Sequence, residues 1–438
     1  MRAAIVGAGP AGLTAARLLH SRGWDLQVYE ARGWVGGRTH TAHFGEGHWL
    51  DTGAGWLASF YPRTRALLEA AGLSHLLSPM RLRGGGDLLI DGRIRPAPNS
   101  VNRILRTGLL SPAEKVRFLG WMAGLFAVQR PDLAIDLSYD AEDALDTLHG
   151  AGEPAIERII RPNFEGPFFA RLEEMSGTLV RAWLRSLSVG TFFHVDGGMD
   201  RPWRELAEPL PIHVDAPVEG VRLGGGGAAV SVRIGGEWDQ FDAVVLAVPA
   251  PECLRILGES EPNLAADLGA VRYAPHVRAY VARRSSDPPP RSGVHLFPNR
   301  YAATLERGGS SPWGAVPSDW EWALVCAPSA HSGELLSLTD DQVLDALFDD
   351  ANNRLGESIR WRDFELVQVV RWEHAVPIVD PGYYARLARI RQRPPILFAG
   401  DWRVQPCVEG AVRSAEMAVS ALLGSPVTTR DLDPAQFR

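Results

Sequence analysis

Arg2-Ala3-Ala4-Ile5-Val6-Gly7-Ala8-Gly9-Pro10-Ala11-Gly12 opens the chain, and everything after it is read from there. Arg2 to Val6 is a short apolar strand. A helical pattern follows from about Ala11 to Ser21, with Leu13, Ala16 and Leu19 on its inner face. Leu26 to Tyr29 then reads as a second strand, ending in Glu30. Each part has a physical task in holding a dinucleotide. Gly7 makes the tight turn, Gly9 lets the backbone approach a pyrophosphate, and Gly12 permits close packing of helix on strand. Pro10 and Ala11 begin the helix, whose free amides and positive end attract the pyrophosphate. Glu30, eighteen residues beyond Gly12 and followed by Ala31, accepts hydrogen bonds from ribose hydroxyls. Its charge repels a 2′-phosphate, which excludes NADP at this site.

Two further motifs follow in order. Gly36-Gly37-Arg38-Thr39 allows a second close backbone approach, with Arg38 placed to clamp phosphate oxygens. Leu50-Asp51-Thr52-Gly53-Ala54-Gly55-Trp56 comes next. With these three motifs the chain resembles the flavin amine oxidase superfamily, which includes monoamine oxidases, protoporphyrinogen oxidases, phytoene and hydroxysqualene enzymes, and renalases. The resemblance implies FAD as cofactor. It places Gly36 to Thr39 on the pyrophosphate, and Gly53, Ala54, Gly55 and Trp56 beside the isoalloxazine.

The expected fold is α/β: a Rossmann-type FAD-binding domain with a discontinuous mixed α+β substrate domain. The first comprises 1–75, 195–260 and 385–438, the second 76–194 and 261–384. Residues from about 80 to 190 read as mostly helical. Asp91-Gly92-Arg93 through Pro98, Leu109 to Pro112 and Arg161 to Ser176 resemble the helical substrate domain of protoporphyrinogen oxidase-type members. Gly197-Gly198-Met199 returns to the family pattern. Val214 to Leu223, Val230 to Ile234 and Ala243 to Pro249 read as strands, with Gly224 to Gly227 as a turn. The resemblance brings Val218 to the adenine through its backbone. From 260 to 384 the chain is rich in aromatics, including Trp313, Trp320, Trp322, Trp372, Tyr383 and Tyr384. Trp372 and Tyr383 are the expected pocket walls, because their segments resemble the family's flavin-side segments.

Ile396 to Asp401 is a strand ending in Gly400-Asp401, and Val408-Glu409-Gly410-Ala411 opens a helix running to about Leu423. This matches the superfamily's second flavin motif. Asp401 is expected at the ribityl chain or pyrophosphate edge, and the helix amides from Glu409 onward at the pyrimidine side of the flavin. Two departures weaken a simple amine oxidase. Cys407 stands where monoamine oxidases carry a cage aromatic, and Arg278, in the strand Val277 to Ala282, matches the position of their flavin-side lysine. Lys115, the only lysine, lies in a helical segment far from these motifs.

The chain of 438 residues, with 45% hydrophobic and 22% charged residues, is long enough for two or three domains. A net charge of −7 gives no support to a nucleic-acid surface. Three cysteines without paired spacing argue against a disulfide scaffold or a metal site and fit a cytoplasmic protein. No leader precedes the first strand. The longest apolar run, Phe118 to Val128, is too short to span a bilayer. It reads as a buried helix, with a peripheral membrane contact left open. Together these features predict an enzyme that takes a hydride from a C–H bond of an apolar or polycyclic small molecule, with dioxygen or a quinone as acceptor. Arg278, Trp372 and Tyr383 are its candidate catalytic residues. The alternatives are an amine oxidase, or a renalase-like or NAD(P)H-using flavin reductase, the last disfavoured because no second Gly-x-Gly-x-x-Gly occurs.

Overall fold

A computed structural model describes residues 1–437 except 46, 81–85, 99, 128–134, 169, 225–228, 259–261, 290–291, 297–299 and 309–313. One sheet is wholly parallel and has the strand order Ile212–His213, Asp25–Tyr29, Arg2–Val6, Ala243–Leu246, Ile396–Phe398. Its central strands are apolar throughout because both faces are covered, as parallel sheets require. Ala3, Ala4, Ile5 and Val244 to Leu246 are fully buried. The helix Pro10–His20, with proline in its first turn, packs against the C-terminal helix Val408–Leu423. The chain's first and last motifs therefore lie side by side at the same end of one sheet.

The second large sheet has seven strands, in the order Leu366–Pro377, Tyr273–Arg284, Trp320–Cys326, Thr304–Gly308, Ser292–Leu296, Asp87–Ile90, Arg93–Pro96. The period-two alternation of Tyr273–Arg284 decides what each of its faces meets. Val277, Ala279 and Val281 pack under the helix Asp340–Leu355 with Leu347 and Phe348. Tyr280 and Ala282 face Leu50 and Trp322 instead, and Arg278 shares that second face. The covering helix is well specified, with a Thr339–Gln342 capping box at its start and Gly356 in the left-handed conformation at its end.

Three sequence expectations need correction. Asp91 to Pro98 belongs to this sheet and not to a helical block. Asp91 and Gly92 have φ of 52° and 69°, the positive values of a two-residue hairpin turn. Val214 to Leu223 is not one strand. It breaks at Asp215 (φ 52°) and Pro217 into Ile212–His213 and Val218–Leu223, which join different sheets. The helix Pro112–Ala127 is only half covered, with Phe118 and Leu125 buried while Gly120, Ala123 and Gly124 face solvent. Val128, Trp313 and Gly225 to Gly227 lie outside the described residues. Among the described residues no helix is long and apolar enough to cross a membrane, and no group of three or more His, Cys, Asp or Glu could hold a metal.

Candidate dinucleotide and active site

The loop after the first strand is fixed by backbone crowding. A Cβ on Gly12 would stand 1.8 Å from Gly7 O, and one on Gly7 (φ 100°) would stand 2.7 Å from Ala247 O. Gly9 faces Gly37, where a Cβ would reach only the other glycine's Cα at 3.7 Å. Two bare backbones thus come into contact at the start of the helix, leaving main chain without side chains beside the free helix amides, the surface a pyrophosphate needs. Glu30 is buried and bridges this loop. Its Oε2 accepts from Ala8 N at 2.8 Å and its Oε1 from Arg32 N at 3.0 Å. Ala31, between them, is exposed.

Arg38 is engaged on three sides. Nη2 donates to Asp401 Oδ1 at 2.7 Å, while Nη1 donates to Ala375 O at 2.9 Å and His374 O at 3.3 Å. The guanidinium expected on phosphate thus ties the second motif to the last one. Thr39 spends its hydroxyl on Gly36 O at 2.7 Å. Gly53 packs so tightly on Arg38 that a Cβ would meet its carbonyl oxygen at 1.9 Å, and Ala54 N donates to that oxygen at 2.8 Å.

The segment Asp51 to Gly53 is pinned from behind. Arg278 Nη2 donates to Asp51 O at 2.7 Å and to Gly53 O at 3.3 Å, and Trp372 Nε1 donates to Thr52 O at 2.7 Å. The Asp51 side chain holds a second neighbour: its Oδ1 accepts from Met199 N at 2.8 Å and Thr41 Oγ1 at 2.7 Å. Burial pushes the Asp51 carboxyl up to about 7. Asp51 Oδ2 and Arg278 Nε are buried without a hydrogen-bond partner. Burial lowers Arg278 below its ordinary value. It accepts no proton all the same, since a guanidinium stays charged at working pH.

At the C-terminal helix, Cys407 is the N-cap and its Sγ accepts from Gly410 N at 3.4 Å. The Tyr61 hydroxyl is hydrogen-bonded to the same sulfur. Burial pushes the thiol up to about 12, so Cys407 is neutral. Glu409 is fully buried, but its carboxylate points at another helix and not into the cradle. Oε1 accepts from Arg63 N at 3.0 Å, and Oε2 accepts from Thr64 N at 2.9 Å and Thr64 Oγ1 at 2.8 Å. The helix Pro62–Ala70 has no side-chain cap of its own at Tyr61, so Glu409 supplies one. Of the amides in the first turn of the C-terminal helix, Gly410 N is taken by Cys407 Sγ and Ala411 N donates to Cys407 O at 3.1 Å, so what the helix offers a ligand is its start at Val408 and Glu409. Gly410 is required there because a Cβ would stand 2.0 Å from Gln405 O.

Tyr383 is buried and donates its hydroxyl to Trp402 O at 2.6 Å, and Tyr384 donates to Val404 O at 2.9 Å. Arg278, Trp372 and Tyr383 therefore all hold backbone carbonyls, the first two those of Asp51 to Gly53 and the third that of Trp402. Val218 begins its strand next to Glu30, but its carbonyl already accepts from Arg255 Nη2 at 3.2 Å. His40 Nδ1 pairs with Thr52 Oγ1 at 2.9 Å and His48 Nε2 with Tyr280 OH at 2.7 Å. Burial lowers both imidazoles, which keeps them neutral. Trp56, half-buried, stacks on Tyr61 with ring centroids 6.0 Å apart and meets Trp183 and Phe192 edge-on.

The family model for flavin-containing amine oxidoreductases matches residues 10–423. The chain belongs to that family. Coproporphyrinogen III oxidase of Mycobacterium tuberculosis (strain H37Rv) is 28% identical over 95% of this chain and 97% of that protein. Putrescine oxidase of Kocuria rosea is also 28% identical, but over 53% of this chain and 51% of its own. A putative protoporphyrinogen oxidase from Exiguobacterium sp. 255-15 shares the fold, with a TM-score of 0.74 at 19% identity over 96% of this chain and 98% of that one. The structure of putrescine oxidase bound to putrescine gives 0.73 at 18%, over 97% and 99%.

The oxidoreductase uses FAD, and its own residues fit that group. Gly9 and Gly37 put no side chain over the start of the first helix, two helix N-termini converge on the same end of the sheet, and the orphaned Asp51 Oδ2 and Arg278 Nε lie beside the Asp51–Gly53 segment. The sequence reading placed Cys407 at the cage position and Asp51 within its motif, but it missed Thr41 and Tyr61, which hold them. Tyr61 carried a signal, because a helix opening Tyr61-Pro62 without Ser, Thr, Asp or Asn needs a remote cap.

Proposed function

We propose that the oxidoreductase removes hydride from a C–H bond of a large ring-bearing substrate of the porphyrinogen class, whose macrocycle is its apolar part. The carrying observation is the place of Trp56. It lies three residues beyond the segment held by Arg278 and Trp372, and it is half-buried, backed by the buried Tyr61 and Trp183 and by Phe192. Such rings bury large apolar area at low entropic cost. The neutral Cys407 thiol replaces the aromatic that an amine cage would need. The near full-length match to coproporphyrinogen III oxidases, against a half-length match to putrescine oxidase, supports the same reading.

Bound FAD supplies the hydride acceptor at N5 and passes electrons to dioxygen or a quinone. The chain's own residues orient and exclude water. Arg278 and Trp372 fix the Asp51–Gly53 carbonyls, and Tyr383 and Tyr384 fix the loop Trp402 to Val404. No side chain acts as an obligatory base, and the proton that accompanies each hydride leaves to water. We assign 1–75, 195–260 and 385–438 to the FAD-binding unit and 76–194 with 261–384 to the substrate-binding unit. We place the enzyme in the cytoplasm, which suits its three free cysteines. The test is aerobic turnover of coproporphyrinogen III followed by porphyrin fluorescence. Fluorescence should rise with enzyme concentration, and a rate equal to the enzyme-free control would refute the substrate class.

A further inference from the structure

The surface built from the outer hairpin and two short helices carries a charge that the rest of the chain does not. Residues 87–117 hold six basic side chains (Arg93, Arg95, Arg103, Arg106, Lys115, Arg117) against three acidic, Asp87, Asp91 and Glu114, in a protein of net charge −7. Four large apolar side chains stand in the same stretch with nothing over them: Val116 at 74% exposure, Val101 at 61%, Leu105 at 54% and Ile94 at 51%. They are not scattered in space. Leu88 of the hairpin, Ala97 just after it and Leu109 in the connection between the two helices share a small core, and Arg103 Nη1 of the first helix donates to Ala97 O at 3.4 Å. Lys115 Nζ donates to Leu105 O at 3.0 Å, which sets Val116 beside the end of the first helix. Val101 and Leu105 are four positions apart on that helix, on one side of it, while Ile104 turns inward.

Elsewhere the arginines of this protein are mostly paired with carboxylates, as in Arg161 with Glu157, Glu165 and Glu173. Arg93, Arg95 and Arg106 are exposed and form no ion pair among the described residues. Unpaired cations around exposed aliphatic side chains match the two components of an anionic bilayer surface, headgroup phosphate and acyl boundary. A nucleic-acid backbone would use the charges and leave the aliphatic groups in water. A second copy of the chain would set like charges against each other.

We propose that this face, centred on Val101, Leu105 and Val116 and rimmed by Arg93, Arg95 and Arg106, docks the enzyme on an anionic lipid bilayer. The contact is peripheral, and it does not depend on the substrate class proposed above. The FAD-loaded enzyme floated with vesicles of phosphatidylcholine, with and without phosphatidylglycerol, reads it directly. It should rise with the phosphatidylglycerol vesicles, stay behind with pure phosphatidylcholine, and be released by high salt. Leu105→Asp with Val116→Asp, and separately Arg93→Glu with Arg106→Glu, should each lower binding at least about tenfold while flavin content is retained. Absence of binding by the parent, equal binding to neutral vesicles, or unchanged binding by flavin-retaining variants would overturn the proposal. So would self-association of the parent that the Leu105→Asp, Val116→Asp variant abolishes.

Discussion

Arg38 Nη2 lies 2.7 Å from Asp401 Oδ1, an ion pair between residues 363 positions apart that joins the second cofactor motif to the last. Asp401 Oδ1 also accepts from Trp402 N at 3.0 Å. Removing one member of a mostly buried pair strands the other, so Arg38→Met should cost about 2–4 kcal/mol of stability. Asp401→Asn alone should cost a similar amount. The double variant should cost less than the sum, with a coupling of about 1 kcal/mol or more. Urea unfolding of the four proteins measures the cycle, and strict additivity would show that the pair is not a structural link.

Glu30 should secure the AMP half of the cofactor while holding the phosphate loop through Ala8 N. Glu30→Ala should weaken FAD binding by about 1.5–3 kcal/mol, the range for hydrogen bonds to a charged group. Glu30→Gln keeps an acceptor and should lose less. Titration of the apoprotein with FAD checks the order, and an alanine variant with unchanged affinity would contradict it.

Asp51 makes stability depend on pH in a defined direction. Burial raises its carboxyl from the ordinary 3.8 to about 7, against opposing contributions from Met199 N, Thr41 and Arg278, while Asp200 adds to the rise. The folded state thus holds a proton that the unfolded chain has already released, and this contribution to stability declines as pH rises from about 4 to about 7. Asp51→Asn keeps an acceptor for Met199 and Thr41 and has no such titration. At pH 8 the variant should be more stable than the parent, by up to about 4 kcal/mol for a shift of this size, and the gap should close toward pH 4. Urea midpoints across that range test it, and parallel profiles would refute it.

Trp372→Phe removes the donor to Thr52 O and leaves a buried carbonyl unpaired, at a cost of about 1–3 kcal/mol. Arg278→Met releases the carbonyls of Asp51 and Gly53. Both variants should lose FAD more readily on gel filtration, and the FAD that remains should still be reduced by substrate, because neither group accepts a proton. Complete loss of reduction with FAD fully bound would assign one of them a direct part in the chemistry.

What the sequence revealed was what backbone crowding dictates. Gly7 and Gly12 stand where a Cβ cannot, so their spacing carries the fold, and the C-terminal helix begins at Val408 as its motif requires. The hairpin Asp87–Pro96 was hidden because its strands have four residues each and because Asp87 to Leu89 pair with Val294 to Leu296, some two hundred positions away. Side-chain direction was equally illegible. Glu409 lies in a flavin motif yet aims its carboxylate at Arg63 and Thr64. Arg278 reaches Asp51 only because strand alternation puts it on the face opposite the helix Asp340–Leu355.

The most direct test of the account is anaerobic single turnover, in which coproporphyrinogen III and putrescine are each mixed with the FAD-loaded enzyme and flavin absorbance is followed. Coproporphyrinogen III should bleach the flavin, several-fold more slowly when its methylene bridges are deuterated. The bleaching should persist in His40→Ala and His48→Ala variants, and putrescine should leave the flavin oxidised. Bleaching by putrescine and not by coproporphyrinogen III would contradict the account.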